Sequence, residues 1–389
     1  MNNKINEEIF DHDISIEEFD HITDGVEDHV FSERYIARKE SIMNNASHAA
    51  KISKLGVKIA AAAAAVVVAT PFAVNAATGG ELFNRLWGNE GKENVEAHEE
   101  TFVEDGKIDD NGNPVTINVE MPRIEYVEQD PEVAARLIGS NIATEPVVCT
   151  VGDTTVTIES VVRDGMGIVA SYTVEREGGV NCFNYSQLDN EAKGAWISED
   201  QNILFGFDEG VGKIWVDLER STDDKLYCYE YMCDNSALFA QSGFTPITDH
   251  ITFFGQEFTM TRREASELNK EKGDESYIKE TYEYIIPVAD KLDSKVFTNS
   301  DGGYIRVSPI AMQWDSTGGT EIKGECLDMV GSVKITYADG SEYLVFDDTT
   351  ANYGYICGNE VGFIALFNRL VDIDNVTSIT INDMDFTLG

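Results

Sequence analysis

The chain has 389 residues, which is enough for two or three domains. It carries 70 acidic and 29 basic side chains, a formal net charge of −41, so we do not expect nucleic acid as a partner, because phosphate binding requires a basic surface. Other anionic polymers are disfavoured for the same reason. Cationic ligands or loosely held divalent ions remain compatible with this charge, although a soluble, self-repelling surface explains it more simply.

Residues 1–50 predict a small helical tail. Ser15 and Glu18 have the spacing of a capping box, apolar residues follow at helical intervals, and a second short helix is expected from Val30 to Met43. Two such helices bury little by themselves, so the tail is expected either to dock on a partner or to remain a solvated segment. The expected docking face consists of Ile16, Phe19, Ile22, Phe31 and Tyr35.

Residues 56–78 predict a single transmembrane helix. The run from Ile59 to Thr78 has no charged residue, and its 20 residues would span roughly 30 Å as a helix. It is rich in alanine and contains Pro71 and Asn75, so its insertion is only marginally favourable. Two alternatives are a signal peptide cleaved after Ala76, despite the 58 residues before the run, and a buried helix of a soluble protein.

The charges on either side orient this predicted span. Six basic residues and one acidic residue lie within residues 34–58, whereas residues 79–98 contain two basic residues. The positive-inside rule therefore predicts a single-pass protein of the cell membrane with a cytoplasmic N-terminus and an extracellular C-terminal part. We expect Lys54 and Lys58 at the inner membrane surface and Arg85 and Trp87 at the outer one, unless the short apolar helix that carries Arg85 and Trp87 docks on the outer domain.

The rest of the chain predicts a mainly β protein with two consecutive β-sandwiches. Residues 79–145 are expected to form a juxtamembrane helix and an irregular acidic segment, with one further helix from Pro131 to Ile142. Short strands with a period of two then predict sandwiches over residues 146–265 and 277–389, joined by a polar linker. Asp339-Gly340 marks a β-hairpin within the second one.

The six cysteines all lie C-terminal to the predicted span, where disulfides are permitted. Their even number leaves fifteen complete pairings open, and buried free thiols are an equally good interpretation. The six are Cys149, Cys182, Cys228, Cys233, Cys326 and Cys357.

No pattern in the sequence predicts catalysis, a metal or a cofactor. Nucleophile-elbow, zinc-protease and phosphate-loop motifs are absent, and His98 and His250 are the two histidines after the predicted span. The four histidines of the tail are widely spaced and have no cysteine near them, which argues against zinc. We therefore expect a protein that is not an enzyme.

Three runs of the sequence resemble a known family: ELFNRLWGNEGKENVEAHEE, REGGVNCFNYSQLDNEAKGAW and TNSDGGYIRVSP. The chain is similar to membrane-anchored proteins of Gram-positive bacteria that carry a domain of unknown function and share the layout of anti-sigma factors. The resemblance extends from about Lys51 onward and implies immunoglobulin-like outer domains. It brings no functional residues with it. The tail departs from zinc-binding anti-sigma domains, because it lacks their His-x-x-x-Cys-x-x-Cys pattern.

Two functions are consistent with this organisation. The first is an envelope sensor or regulator, in which the outer sandwiches bind an unknown ligand and the tail binds a cytoplasmic sigma factor or another regulator. The second is an adhesion or structural protein of the cell envelope, in which the tail is inert.

Overall fold

The computed structural model describes residues 81–108, 114–143, 145–185, 194–208, 210–234, 250–272, 277–315, 330–358 and 362–389. The predicted tail over residues 1–50 and the predicted span over residues 56–78 lie outside these ranges. Within these ranges, none of the helices combines the length and the hydrophobicity that a membrane crossing requires.

An N-terminal arm precedes the sandwiches and contains two helices and a β-hairpin. Helix α1 (Glu81–Trp87) is followed by strands β1 (His98–Ile108) and β2 (Pro114–Met121), which pair antiparallel with each other. Helix α2 (Pro131–Ile138) follows. It begins as the sequence predicts, because the Asp130 side chain accepts hydrogen bonds from two backbone N–H groups of the first turn and Pro131 needs none there.

The first sandwich packs an eight-stranded sheet against a three-stranded one. In chain order its strands are β3 (Ile142–Ala143), β4 (Val147–Val151), β5 (Thr154–Arg163), β6 (Gly167–Arg176), β7 (Phe183–Tyr185), β8 (Gly194–Ile197), β9 (Ile203–Phe207), β10 (Gly210–Val216), β11 (Lys225–Asp234), β12 (His250–Phe258) and β13 (Ile278–Pro287). The larger sheet has the order β3-β5-β6-β11-β10-β8-β7, with β4 also paired to β5, and the smaller has the order β13-β12-β9. Apolar side chains from both sheets form one core between them.

The second sandwich is a nine-stranded sheet that folds around its own core. Its strands are β14 (Lys295–Thr298), β15 (Tyr304–Val307), β16 (Ala311–Asp315), β17 (Val333–Tyr337), β18 (Glu342–Phe346), β19 (Tyr353–Gly358), β20 (Gly362–Phe367), β21 (Val376–Ile381) and β22 (Met384–Leu388). They follow the order β18-β17-β21-β22-β14-β15-β16-β20-β19. An isolated bridge joins Phe346, the last residue of β18, to Ala351, which precedes β19. The inward side chains of the sheet share one apolar core.

Several expectations from the sequence are confirmed. The described chain is mainly β, with alternating burial along strands such as β9, and the hairpin at Asp339-Gly340 joins β17 to β18. Gly340 has a φ of 82°, a backbone conformation that glycine adopts without strain.

The division between the sandwiches differs from the expected one. Residues 264–276 were expected to form a polar linker with one helical turn, and the structure has the longer helix α3 (Arg262–Lys272) there. Strand β13 pairs with β12 of the first sandwich, although the sequence pattern placed it in the second. The reason is the register of β12 with β13, which runs from His250–Pro287 to Phe258–Ile278 and continues the smaller sheet of the first sandwich.

Strands β6, β11 and β20 are buried on both faces. In β20, Phe363, Ala365 and Phe367 belong to the core of the second sandwich, whereas Ile364 and Leu366 point to a separate apolar cluster between the sandwiches. We call this cluster the junction. The two sandwiches thus share a packed interface, and these three strands are buried along most of their length on both faces.

Gly354 of β19 is a close-contact position in the junction. A Cβ atom at this residue would lie 2.3 Å from the Cδ1 atom of Tyr231, a buried residue of β11 in the other sandwich. We expect Gly354→Ala to lower the free energy of unfolding by about 1–3 kcal/mol, because the substitution overpacks a buried contact. Urea unfolding measures this effect.

Gly206→Ala is the matched control for this substitution. Gly206 also lies in a strand, but a Cβ atom there would meet the nearest atom of Phe254 at 3.7 Å, an ordinary van der Waals distance. An equal loss of stability in both variants would contradict the close contact at Gly354.

Candidate functional site

The junction is the candidate site because it brings together both sandwiches, both helices of the arm and several buried charged groups. Helix α1 contributes Phe83, Leu86 and Trp87, and helix α2 contributes Ala134 and Ile138. From the first sandwich come Val162, Met166, Val169, Tyr229, Tyr231 and Cys233. From the second come Ile310, Ala311, Cys357, Ile364 and Leu366.

Helix α1 depends on this packing for its stability. It has seven residues, and isolated helices of that length are not stable in water. Phe83, Leu86 and Trp87 are at most 1% exposed, and burying an apolar side chain of this size contributes roughly 1.5–3 kcal/mol. Tertiary packing therefore holds this segment helical, with an ion pair of 2.7 Å between Glu81 and Arg85 as a local addition.

Arg85 is the central charged group of α1. Its Nη1 atom lies 2.6 Å from Oδ2 of Asp217, which directly follows strand β10, and both side chains are nearly inaccessible. The same carboxylate oxygen accepts a hydrogen bond of 3.2 Å from the hydroxyl of Tyr229. Glu90 completes the ring of acceptors around the guanidinium at 3.2 Å. The charge of Arg85 is therefore neutralised by bonded partners, as a buried cation requires.

The C-terminal end of α1 is also satisfied from two sides. Nζ of Lys92 donates to the carbonyl oxygen of Arg85 at 2.7 Å, and the Tyr231 hydroxyl donates to the carbonyl oxygen of Leu86. Burial lowers the pKa of Lys92 to about 7; the charge of Asp217 opposes this shift and that of Arg85 adds to it. The free carbonyl groups at the end of a helix need such donors when water is excluded.

The arm binds the second sandwich through backbone groups. The Asn368 side chain donates to the carbonyl oxygen of Glu125 at 3.0 Å, and the backbone N–H of Glu125 donates to Oδ1 of Asn352 at 2.7 Å. Gln129 connects the arm to itself and to the sandwich, because its N–H donates to Asn84 of α1 while its side chain accepts from the N–H of Leu370. Helix α1 is thus held by both sandwiches.

A second buried polar contact crosses the junction at Asp164. One carboxylate oxygen accepts hydrogen bonds from the backbone N–H groups of Met166 and Gly167, at 2.6 and 2.7 Å, and the other accepts from the Ser308 hydroxyl of the second sandwich. Burial raises the pKa of Asp164 to about 6, although these three hydrogen bonds lower it and the charge of Asp234 raises it further. Asp164 consequently holds a proton at a pH where an exposed aspartate does not.

The structure places two of the residues expected at the membrane surface inside the protein. Arg85 is 7% exposed and Trp87 is 0% exposed, both in contact with the sandwiches. Neither side chain can reach a membrane surface in this arrangement, so their expected interfacial role needs correction: the apolar face of α1 is buried by β-sheet. Lys54, Lys58 and the docking-face residues Ile16, Phe19, Ile22, Phe31 and Tyr35 lie outside the described residues.

Sequence patterns do not reveal the buried polar contacts of the junction. Asp217, Tyr229, Asp164 and Ser308 are ordinary polar residues in a chain with 70 acids, and the contacts between them join positions 12 to 144 residues apart. The sequence does carry one signal for the junction. Tyrosine and cysteine alternate in LYCYEYMC, which indicates a strand that is apolar on both faces.

Metal-ligand groups and surface grooves were sought in the part of the chain that the structure describes. Its ranges contain no group of three or more His, Cys, Asp or Glu side chains that could hold a metal ion. The shallow groove beside β17 has Asp339 and Asp372 on its wall, but both already accept hydrogen bonds, from Ser341 and from Arg136 respectively.

Comparison with known proteins identifies no family. Neither the family models nor the curated proteins contain a match. Among solved structures, "The crystal structure of the conserved domain protein from Bacillus anthracis" is similar at 14% identity, covering 61% of this chain and 75% of that chain, with a TM-score of 0.31. A likeness of this degree carries no argument about function.

We expect Arg85→Met to lower the free energy of unfolding by about 3–5 kcal/mol, because it leaves the buried carboxylate of Asp217 without its cation. Arg136→Met is the matched control. Arg136 forms an ion pair of 2.6 Å with Asp372 but its side chain is 47% exposed, so its loss should cost about 0–1 kcal/mol. Thermal and urea unfolding compare the two, and equal effects would contradict a structural role for the buried pair.

The raised pKa of Asp164 predicts how stability changes with pH. The folded state retains this proton up to about pH 6, whereas an unfolded aspartate loses it near its ordinary pKa of 3.8. The contribution of Asp164 to stability is therefore present at low pH and is lost as pH rises, by about 2 kcal/mol between pH 4.5 and pH 7.5.

Asp164→Asn tests this pH dependence, because an amide keeps the shape of the side chain and does not titrate. The free energy of unfolding is measured with urea at pH 4.5 and at pH 7.5. The decrease between these two pH values should be about 2 kcal/mol smaller in the variant than in the unmodified protein. An unchanged difference would contradict the assignment. Glu230, whose pKa burial raises to about 7, titrates identically in both proteins and cancels in the comparison.

Proposed function

We propose that the protein is a single-pass envelope sensor or regulator. In this proposal two immunoglobulin-like sandwiches lie outside the cell, residues 56–78 cross the membrane, and the helical tail of residues 1–50 binds a cytoplasmic sigma factor or another regulator. The outer ligand is unassigned, and no catalytic step is part of the proposal.

The position of α1 is the observation that carries the proposal. The helix begins at Glu81, three residues after the apolar run that ends at Thr78, and its apolar side chains are buried in the junction. Helix α1 is bonded to Asp217 and Tyr231 of the first sandwich. Gln129 connects the same helix to Leu370 of the second sandwich. A change in the angle between the sandwiches would therefore displace α1 relative to one of them. Such a displacement acts directly on the chain that leads into the proposed span.

The packing also argues for two discrete arrangements over gradual bending. Closely packed interiors do not deform continuously, so small changes at a ligand site are converted into shifts between alternative packings. A ligand that binds one arrangement of the sandwiches more tightly than another would change the population of the α1 position.

The alternative is an adhesion or structural protein of the cell envelope with an inert tail. The extensive sandwich surface and the rigid attachment of α1 suit this function as well, because a tether also benefits from a fixed attachment point. The two functions differ in what the tail does, and the tail is therefore the part to test.

Isolated residues 1–50 should capture a transcription regulator from the cytoplasm of the source cell, identified by mass spectrometry. A variant with Ile16, Phe19 and Ile22 replaced by aspartate should lose this capture, whereas neutralising Glu17 and Asp20 on the polar side should preserve it. Deletion of residues 1–45 from the full chain should change transcription of the genes under that regulator.

Two results would overturn the proposal in favour of the envelope alternative. One is a tail that captures no regulator, together with an unchanged transcript profile after its deletion. The other is a mature protein that begins near Ala77 by intact mass, because cleavage there would separate the tail from the sandwiches.

A further inference from the structure

Two cysteine thiols meet across the junction. Cys233 lies in β11 of the first sandwich and Cys357 in β19 of the second, and they are 0% and 4% exposed. Both belong to the apolar cluster between the sandwiches, and both are free thiols in this structure.

Backbone contacts fix the proximity of the two thiols. Sγ of Cys233 lies 3.9 Å from the carbonyl oxygen of Ile364, and Ile364 is the residue directly opposite Cys357 in the β19–β20 pair. Paired residues of antiparallel strands have Cα atoms about 4.5–5.5 Å apart, so Cys233 approaches the strand pair at the position of Cys357. The two thiol groups are close enough to share a hydrogen bond.

A neighbouring contact shows that β11 runs along β19 and does not merely touch it at one point. Tyr231 lies two residues before Cys233, on the same face of β11, and its ring packs against Gly354 of β19. The two strands therefore approach each other at two successive positions, which holds the facing cysteines in place.

The other described cysteines are differently placed. Cys149, Cys182 and Cys228 are buried in the core of the first sandwich, so a bond among them would join strands of one sandwich. Cys233 and Cys357 are the two described cysteines that come from different sandwiches and share the junction.

We propose that Cys233 and Cys357 are a disulfide-forming pair that joins the two sandwiches covalently. The proposal goes beyond the sensor function and does not rest on it, since the cross-link would stabilise an adhesion protein in the same way. It assigns a modification site and its consequence: a junction that exists in a reversible thiol form and a locked disulfide form.

The oxidant is a small-molecule or protein disulfide, and the reaction is thiol–disulfide exchange. One cysteine thiolate attacks the oxidant, forms a mixed disulfide and releases the first oxidant sulfur as a thiol. The second cysteine thiolate attacks the mixed disulfide, forms the Cys233–Cys357 bond and releases the second thiol. Two electrons pass from the cysteines to the oxidant, and the two cysteine protons end on the released thiols.

Burial determines when this exchange occurs. In the closed junction an oxidant cannot reach either sulfur, and burial raises the pKa of Cys233 well above its ordinary value, which suppresses the reactive thiolate. The bond therefore forms during folding, before the junction closes. Once the junction closes, the same burial protects the bond from reductants.

The cross-link should stabilise the folded protein strongly. The two cysteines are 124 positions apart in the sequence, and a bridge that closes a long loop removes much of the conformational freedom of the unfolded chain. For a protein of this size we expect Tm to rise by about 5–10 °C on oxidation.

The experiment compares the purified full chain after two treatments with oxidised glutathione. One sample is exposed in the folded state, and the other is refolded from urea in a mixture of oxidised and reduced glutathione. Free thiols are then alkylated, and the digested peptides are identified by mass spectrometry. We expect free thiols at both positions in the folded sample and a linked Cys233–Cys357 peptide pair as the main product of refolding.

Variants connect this bond to stability. The rise in Tm after oxidative refolding should disappear in Cys233→Ser and in Cys357→Ser and should persist in Cys149→Ser, which removes a buried thiol from the core of the first sandwich. The peptide measurement uses the unmodified chain, so it decides the question even if a serine variant folds poorly. Free Cys233 and Cys357 after oxidative refolding, or a dominant bond between other cysteines, would overturn the proposal.

Discussion

Burial of helix α1 between two β-sheets is the contact that organises the described chain. The helix is too short to exist in water and supplies three large apolar side chains, so it forms only where both sandwiches cover it. The sandwiches in turn pack against each other through strands that have an apolar face outside their own core, and no described element beyond the junction covers that face. Removal of α1 or of one sandwich would expose the apolar side chains Trp87, Tyr231 and Leu366. The arm and the sandwiches therefore form one packed unit.

Polar contacts within the junction select one arrangement of these parts. Arg85 with Asp217, and Asp164 with Ser308, are buried pairs whose geometry fits a single relative position of the segments that carry them. Such pairs add little net stability compared with apolar packing, but a misplaced partner leaves a buried group unsatisfied. The indole N–H groups of Trp87 and Trp215 are buried without an acceptor among the described residues, which costs about 1–3 kcal/mol for each group.

Local patterns predicted much of the fold, and their failures have identifiable causes. Alternating apolar residues located most strands, and Pro131 with Gly139 located α2. Helix α3 is longer than the single helical turn expected in the polar linker, and a capping box of Thr261 and Glu264 begins it, with reciprocal hydrogen bonds of 2.9 and 3.3 Å. Strand β20 carries no alternation, because GFIALF is buried on both faces and a continuous apolar run has no period of two.

The pentapeptide LFNRL occurs twice in the chain and adopts two different structures. At Leu82–Leu86 it lies within helix α1, whereas at Leu366–Leu370 it begins as the end of strand β20 and leaves the sheet. The sequence by itself determined the acidic charge, the mainly β character and the hairpin at Gly340, because these depend on composition, on a period of two and on one permissive residue. Tertiary contacts decided the junction, because the pairs Arg85–Asp217 and Asp164–Ser308 join residues more than 130 positions apart and no local pattern encodes them.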